Sequence, residues 1–69
     1  MLKDVWKKAS EEQHKIILAS ILADGYSRQT AYSFCNGNRL PCELMRGKIT
    51  SYVNEAMNAN YSSEELFAI

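Results

Sequence analysis

Proline occurs once and glycine three times in 69 residues, so the residues that punctuate a strand-rich chain are scarce. An architecture of many short strands and tight turns is thereby disfavoured. Cysteine is confined to Cys35 and Cys42, which lack CxxC spacing, and His14 is the only histidine. Neither a zinc site nor a disulfide framework is suggested, and both thiols are expected to be reduced. The longest apolar run, Ile16 to Leu22, is interrupted by Ser20 and falls far short of the ~20 residues that a membrane crossing needs. The N-terminus, Met1 to Trp6, has no continuous apolar stretch or small-residue cleavage site of an export signal, so a cytoplasmic location is expected. No paired acid and base, metal-ligand cluster or phosphate-cradling loop is visible. An enzyme, a cofactor and a small-molecule ligand are therefore not expected.

What the chain does contain is ordinary globular composition, with hydrophobic residues at 46% and charged residues at 23%, drawn heavily from good helix formers. The expected fold is all-α, one domain over residues 1–69, in which so short a chain buries only ~60% of its unfolded surface. Eight basic and eight acidic residues leave no net charge, which argues against indiscriminate polyanion binding. The charges are unevenly spread. Residues 1–24 balance, residues 25–53 set Arg28, Arg39, Arg46 and Lys48 against Glu43 alone for +3, and the remainder carries Glu55, Glu64 and Glu65 for −3.

Helical periodicity recurs along the chain. Leu2, Val5, Trp6 and Ala9 form one apolar stripe with the lysines displaced from it, and Trp6 reads as a core anchor. Ser10-Glu11-Glu12-Gln13 has the pattern of a capping box, after which His14, Ile17, Leu18, Ile21 and Leu22 keep helical spacing up to a stop at Gly25. Ser27 is the expected N-cap of a short helix whose inward stripe is Thr30, Ala31, Phe34 and Cys35, closed by Asn36-Gly37. Tyr26 is expected to pack in the turn. Pro41 is expected in the first turn of a further helix, followed by Met45, Ile49, Tyr52, Val53 and Ala56 on one face. That helix should fade at Asn58 to Asn60. Ser62-Ser63-Glu64-Glu65 repeats the capping-box pattern ahead of Leu66, Phe67 and Ile69, which should fold back onto the core.

The segment Gly25-Tyr26-Ser27-Arg28-Gln29-Thr30-Ala31-Tyr32-Ser33-Phe34-Cys35-Asn36-Gly37-Asn38-Arg39-Leu40-Pro41 resembles the phage-repressor and Cro-like (XRE-type) helix-turn-helix family. That family shows glycine, an apolar residue, serine, a polar trio, a small apolar residue, then Asn-Gly, a basic residue and proline. The resemblance extends loosely over Ile16 to Phe67, and Ser62 to Phe67 is similar to the short ending of related small bacterial proteins. Two positions depart from it: Ile21 stands where a small alanine is usual, and Asp24 where an apolar residue is. Aligning Leu18-Ala19-Ser20-Ile21-Leu22 with the family's Leu-Ala-x-x-Leu implies a turn two residues longer, through Ala23 and Asp24.

The resemblance implies a lambda-repressor-like bundle of four to five short helices that binds double-stranded DNA, with the second motif helix in the major groove. Arg28 would read guanine and Gln29 adenine, with Thr30, Tyr32 and Ser33 adding contacts at base edges. Ser27, Asn36, Asn38, Arg39, Arg46 and Lys48 would hold phosphates, at a scale of about four to six contacts. A homodimer on a two-fold operator is the implied working form. Leu66, Phe67 and Ile69, or an exposed part of Leu2, Val5 and Trp6, are candidates for its surface, with burial of either set inside one copy the equally sensible alternative for so small a core. The alternative is a protein-interaction module, an adaptor, antitoxin or inhibitor, on the same scaffold, since a fold does not fix a function.

Overall fold

Side-chain caps set where the helices begin. The computed structural model describes residues 1–68, and five helices occur among them: α1 (Leu2–Lys8), α2 (Glu11–Ala23), α3 (Arg28–Cys35), α4 (Glu43–Met57) and α5 (Ser63–Phe67). Both expected capping boxes form. Ser10 Oγ accepts from the Gln13 amide at 3.1 Å while the Ser10 amide donates to Gln13 Oε1 at 2.8 Å. Ser62 and Glu65 repeat the exchange at 3.1 and 2.8 Å. Each box satisfies amides that would otherwise have no helical partner, which is why α2 and α5 begin where they do.

The helix ends are equally local in origin. Gly25 takes φ +101°, a conformation that L side chains rarely adopt, and α2 stops before it. Ala23 is nevertheless helical and Asp24 is the C-cap, so the expected lengthening of the turn through Ala23 is corrected. The connection to α3 is Asp24–Ser27 alone. Carrying the helix this far keeps Leu18 and Ile21 buried and Leu22 half-buried on one side, as helical spacing requires. A second correction concerns Pro41. Helix α4 starts at Glu43 with Cys42 as N-cap, leaving Pro41 outside it, buried, with its carbonyl accepting from Arg46 Nη1 at 2.8 Å. Pro41 thus lies in the lead-in to α4, where a residue without an N–H costs no helical hydrogen bond.

The core takes residues from all five helices. Ile21, Ala31, Cys35, Ile49 and Val53 have no exposed surface at all. Helix α2 packs against α3 and α4, while α1 and α5 close the opposite side, α1 lying on α5 and α3. Trp6 stacks on His14 with ring centroids 3.8 Å apart, and His14 Nε2 meets the Trp6 carbonyl at 2.6 Å. Because a carbonyl only accepts, that nitrogen carries the hydrogen. Tyr26 packs edge-on against Phe34 at 5.3 Å, in the turn as expected. Thr50 is the one buried polar residue of the described chain, and its hydroxyl donates to the Arg46 carbonyl at 2.7 Å. Burial pushes the Cys35 thiol up to about 12, whereas Cys42 is exposed and both cysteines are free.

Of the two alternatives for Leu2, Trp6, Leu66 and Phe67, a dimer surface or burial inside one copy, the structure shows the second: all four are buried, and Val5 is half-buried. A core drawn from so few residues uses them itself. Ile69 lies outside the described residues. No helix among those residues is long and apolar enough to cross a membrane.

Truncating Ile21 to alanine is expected to cost about 2–5 kcal/mol, read as a lower urea midpoint at unchanged slope. Ile16→Ala, at a site on the same helix that is 48% exposed, is expected to change stability by less than about 0.5 kcal/mol.

Candidate nucleic-acid interface

Helix α3 separates its residues cleanly by face. Ala31, Phe34 and Cys35 point into the core, while Arg28, Gln29 and Tyr32 are exposed and Thr30 and Ser33 are half-buried. Its start is held by Ser27, whose Oγ accepts from the Thr30 amide at 3.2 Å and donates to Thr30 Oγ1 at 3.0 Å. The Ser27 hydroxyl proton is thus committed inside the chain rather than offered outward. Thr30 shares that bond, which leaves Arg28, Gln29 and Tyr32 as the outward side chains. Tyr32 also meets the edge of Trp6, with ring centroids 6.3 Å apart.

No acidic residue lies in the first turn of α3, nor anywhere from Ser27 to Arg39. The unpaired amides at that helix start and the Arg28 guanidinium therefore add in sign. Arg28 and Tyr32 border an open groove of about 340 Å³ between α2 and α3, which also touches Glu11, Lys15 and Leu18. Past the helix, Asn36 is the C-cap and Gly37 takes φ +78°, so the chain turns sharply. The Ser33 carbonyl accepts from the amides of Asn38 and Arg39 at 3.0 and 3.2 Å. This turn leaves Asn36, Asn38 and Arg39 exposed side by side at the α3 exit.

Arg46 and Lys48 each also bond within the chain. Arg46 is half-buried and tied to the Pro41 carbonyl, securing the lead-in to α4. Lys48 Nζ lies 3.0 Å from Asp24 Oδ1, and the Tyr52 hydroxyl donates to Asp24 Oδ2 at 2.5 Å. These bonds from Tyr52 first and Lys48 second hold the Asp24 carboxyl below its ordinary value. The hydrogen bond to Asp24 pushes Lys48 and Tyr52 up in turn. The α2–α3 connection is thereby fastened to α4. Asp24, which replaces an apolar residue in the family resemblance, has its explanation here. Lys48 and Tyr52 stand four apart on one face of α4, a spacing that marks two donors without revealing their acceptor.

Two features have no counterpart in the residue pattern. Lys3 of α1 lies against the α3 exit: a Cβ at Gly37 would meet Lys3 Cβ and Cδ at 3.7 Å. Leu40 and Leu44 are 58% and 71% exposed and bracket the start of α4. Comparisons with protein-family models, curated proteins and solved structures each find no match.

The Asp24 link fixes a pH dependence. A carboxyl held below its ordinary value near 3.8 contributes stability that is fully present above that value and is lost as pH falls through the lower folded one. Asp24→Asn is expected to melt at a lower temperature than wild type at pH 7. Its thermal midpoint should also fall less steeply than that of wild type as the solution is acidified towards pH 2, a difference read by circular dichroism melts across pH.

Proposed function

We propose that this chain is a sequence-specific double-stranded-DNA-binding protein of helix-turn-helix type that regulates transcription, with α2 and α3 as the motif and α3 as the helix that enters the major groove. The observation that carries the reading is the outward face of α3. Arg28, Gln29 and Tyr32 are exposed on a helix whose other face is anchored in the core, and no acid occurs from Ser27 to Arg39. An α-helix fits the major groove, where base edges present distinguishable donors and acceptors. Arg28 supplies a bidentate donor fork for guanine and Gln29 the amide pair that suits adenine. Tyr32, Ser33 and Thr30 border the same edge. Asn36, Asn38 and Arg39 hold phosphates, which positions the helix without reading bases.

Such a protein acts in the cytoplasm of a bacterium, in the manner of phage or mobile-element regulators, and as a two-fold pair, because one short helix reads too few base pairs for useful specificity. Catalysis forms no part of this reading. A second reading is favoured by a specific observation: the exposed Leu40 and Leu44, on a chain without net charge, suit a protein-binding adaptor, antitoxin or inhibitor.

Selection from a random duplex library, followed by salt titration, separates the two. DNA binding predicts one enriched sequence and an affinity that falls steeply with salt. Arg28→Ala is expected to lose about 1–3 kcal/mol on the enriched sequence and to relax its preference at one position, while Arg39→Ala weakens all sequences alike and lowers the salt slope by about 1. No enrichment together with a flat salt response would favour the protein-binding module. Identical behaviour of the two variants would refute the division of roles.

A further inference from the structure

Helix α1 runs alongside the candidate reading helix, and two contacts fix its direction. Lys3 lies at Gly37, just past the end of α3, and Trp6, almost one turn further along α1, meets Tyr32 within α3. As α1 advances, α3 recedes, so the two helices pass in opposite senses with their side chains in contact. Lys7 follows Lys3 by four residues, about 6 Å along the axis and roughly 40° around it. Both lysines are exposed. They flank the buried pair Leu2 and Trp6 on one side of the helix. Lys8 falls about 200° from Trp6, away from that edge.

Their charge is also unspent. Among the described residues the ion pairs are Lys48 with Asp24 and the N-terminal amine with Asp4. The one acid of α1 is thus occupied at the helix start, and neither Lys3 nor Lys7 has an anionic partner. At the α3 exit, where Lys3 lies, stand Asn36, Asn38 and Arg39, all exposed. Two cations spaced by a helical turn, the first of them next to a Ser27–Arg39 stretch that holds no acid, suit a strand that presents a charge about every 3.4 Å.

We propose that Lys3 and Lys7 form a second phosphate-binding track along α1, continuous with Asn36, Asn38 and Arg39, which grips the backbone of the same DNA duplex that α3 reads. The inference rests on the DNA-binding reading above. It assigns part of the affinity to a helix outside the motif.

The test compares wild type, Lys3→Gln/Lys7→Gln, Lys3→Arg/Lys7→Arg and Lys8→Gln on the library-enriched duplex from 50 to 400 mM salt, with thermal melts to verify that each variant folds. Replacing two phosphate-bound cations should lower the log–log salt slope by about 2 and weaken binding by some tens-fold at ~0.1 M salt. The enriched sequence should be unchanged. The arginine pair should restore the slope, and Lys8→Gln should leave it nearly as in wild type. A slope unaltered in the glutamine pair, or lowered as much by Lys8→Gln alone, overturns the track while leaving α3 as the reader. Wild type that binds no duplex overturns both.

Discussion

An eight-residue helix is too short to persist in water by its own hydrogen bonds, because the cost of nucleation is not recovered in two turns. Helix α3 therefore exists only because Ala31, Phe34 and Cys35 are buried against the rest of the bundle, with Ser27 satisfying the first amides. That burial turns the other face outward in a fixed orientation. A flexible segment with the same residues would lose conformational entropy on ordering against a partner; here that cost is met by folding. The proposed chemistry of Arg28 and Gln29 depends on this anchorage more than on either side chain.

Charge placement in the fold differs from charge placement along the chain. Residues 25–53 hold an excess of cations, and two of these also bond within the chain: the exposed Lys48 to the Asp24 carboxylate and the half-buried Arg46 to a backbone carbonyl. Packing α1 on α3 brings Lys3 beside the α3 exit from a segment that is neutral overall. A molecule with no net charge can thus carry a basic edge, because opposite charges are sorted to different places rather than cancelled pair by pair.

The residue pattern alone revealed the parts of this fold that are decided locally. Capping boxes at Ser10 and Ser62, the glycine stop at Gly25 and the inward stripe of α3 depend on neighbours a few residues away, and each is legible in the chain. Helical spacing up to Gly25 also gave the reach of α2, and it was the alignment with the family that misjudged Ala23; the position of Pro41 outside α4 was misjudged from the residue pattern. The same division runs through the candidate interface. Exposure of Arg28, Gln29 and Tyr32 follows from helical period, whereas the partners of Lys48 and Arg46 and the nearness of Lys3 to Gly37 arise from contacts across long stretches of sequence. Asp24 shows the limit most clearly, since its hydrogen-bond donors lie 24 and 28 residues downstream.

The two thiols stand in opposite situations, one open to solvent and one sealed beneath α3. Because Cys35 has no exposed surface and its proton is held tightly, a thiol reagent reaches it only when α3 lifts away. Its modification rate relative to Cys42 is thus an internal clock for how often α3 breathes, readable in the native chain without any added label.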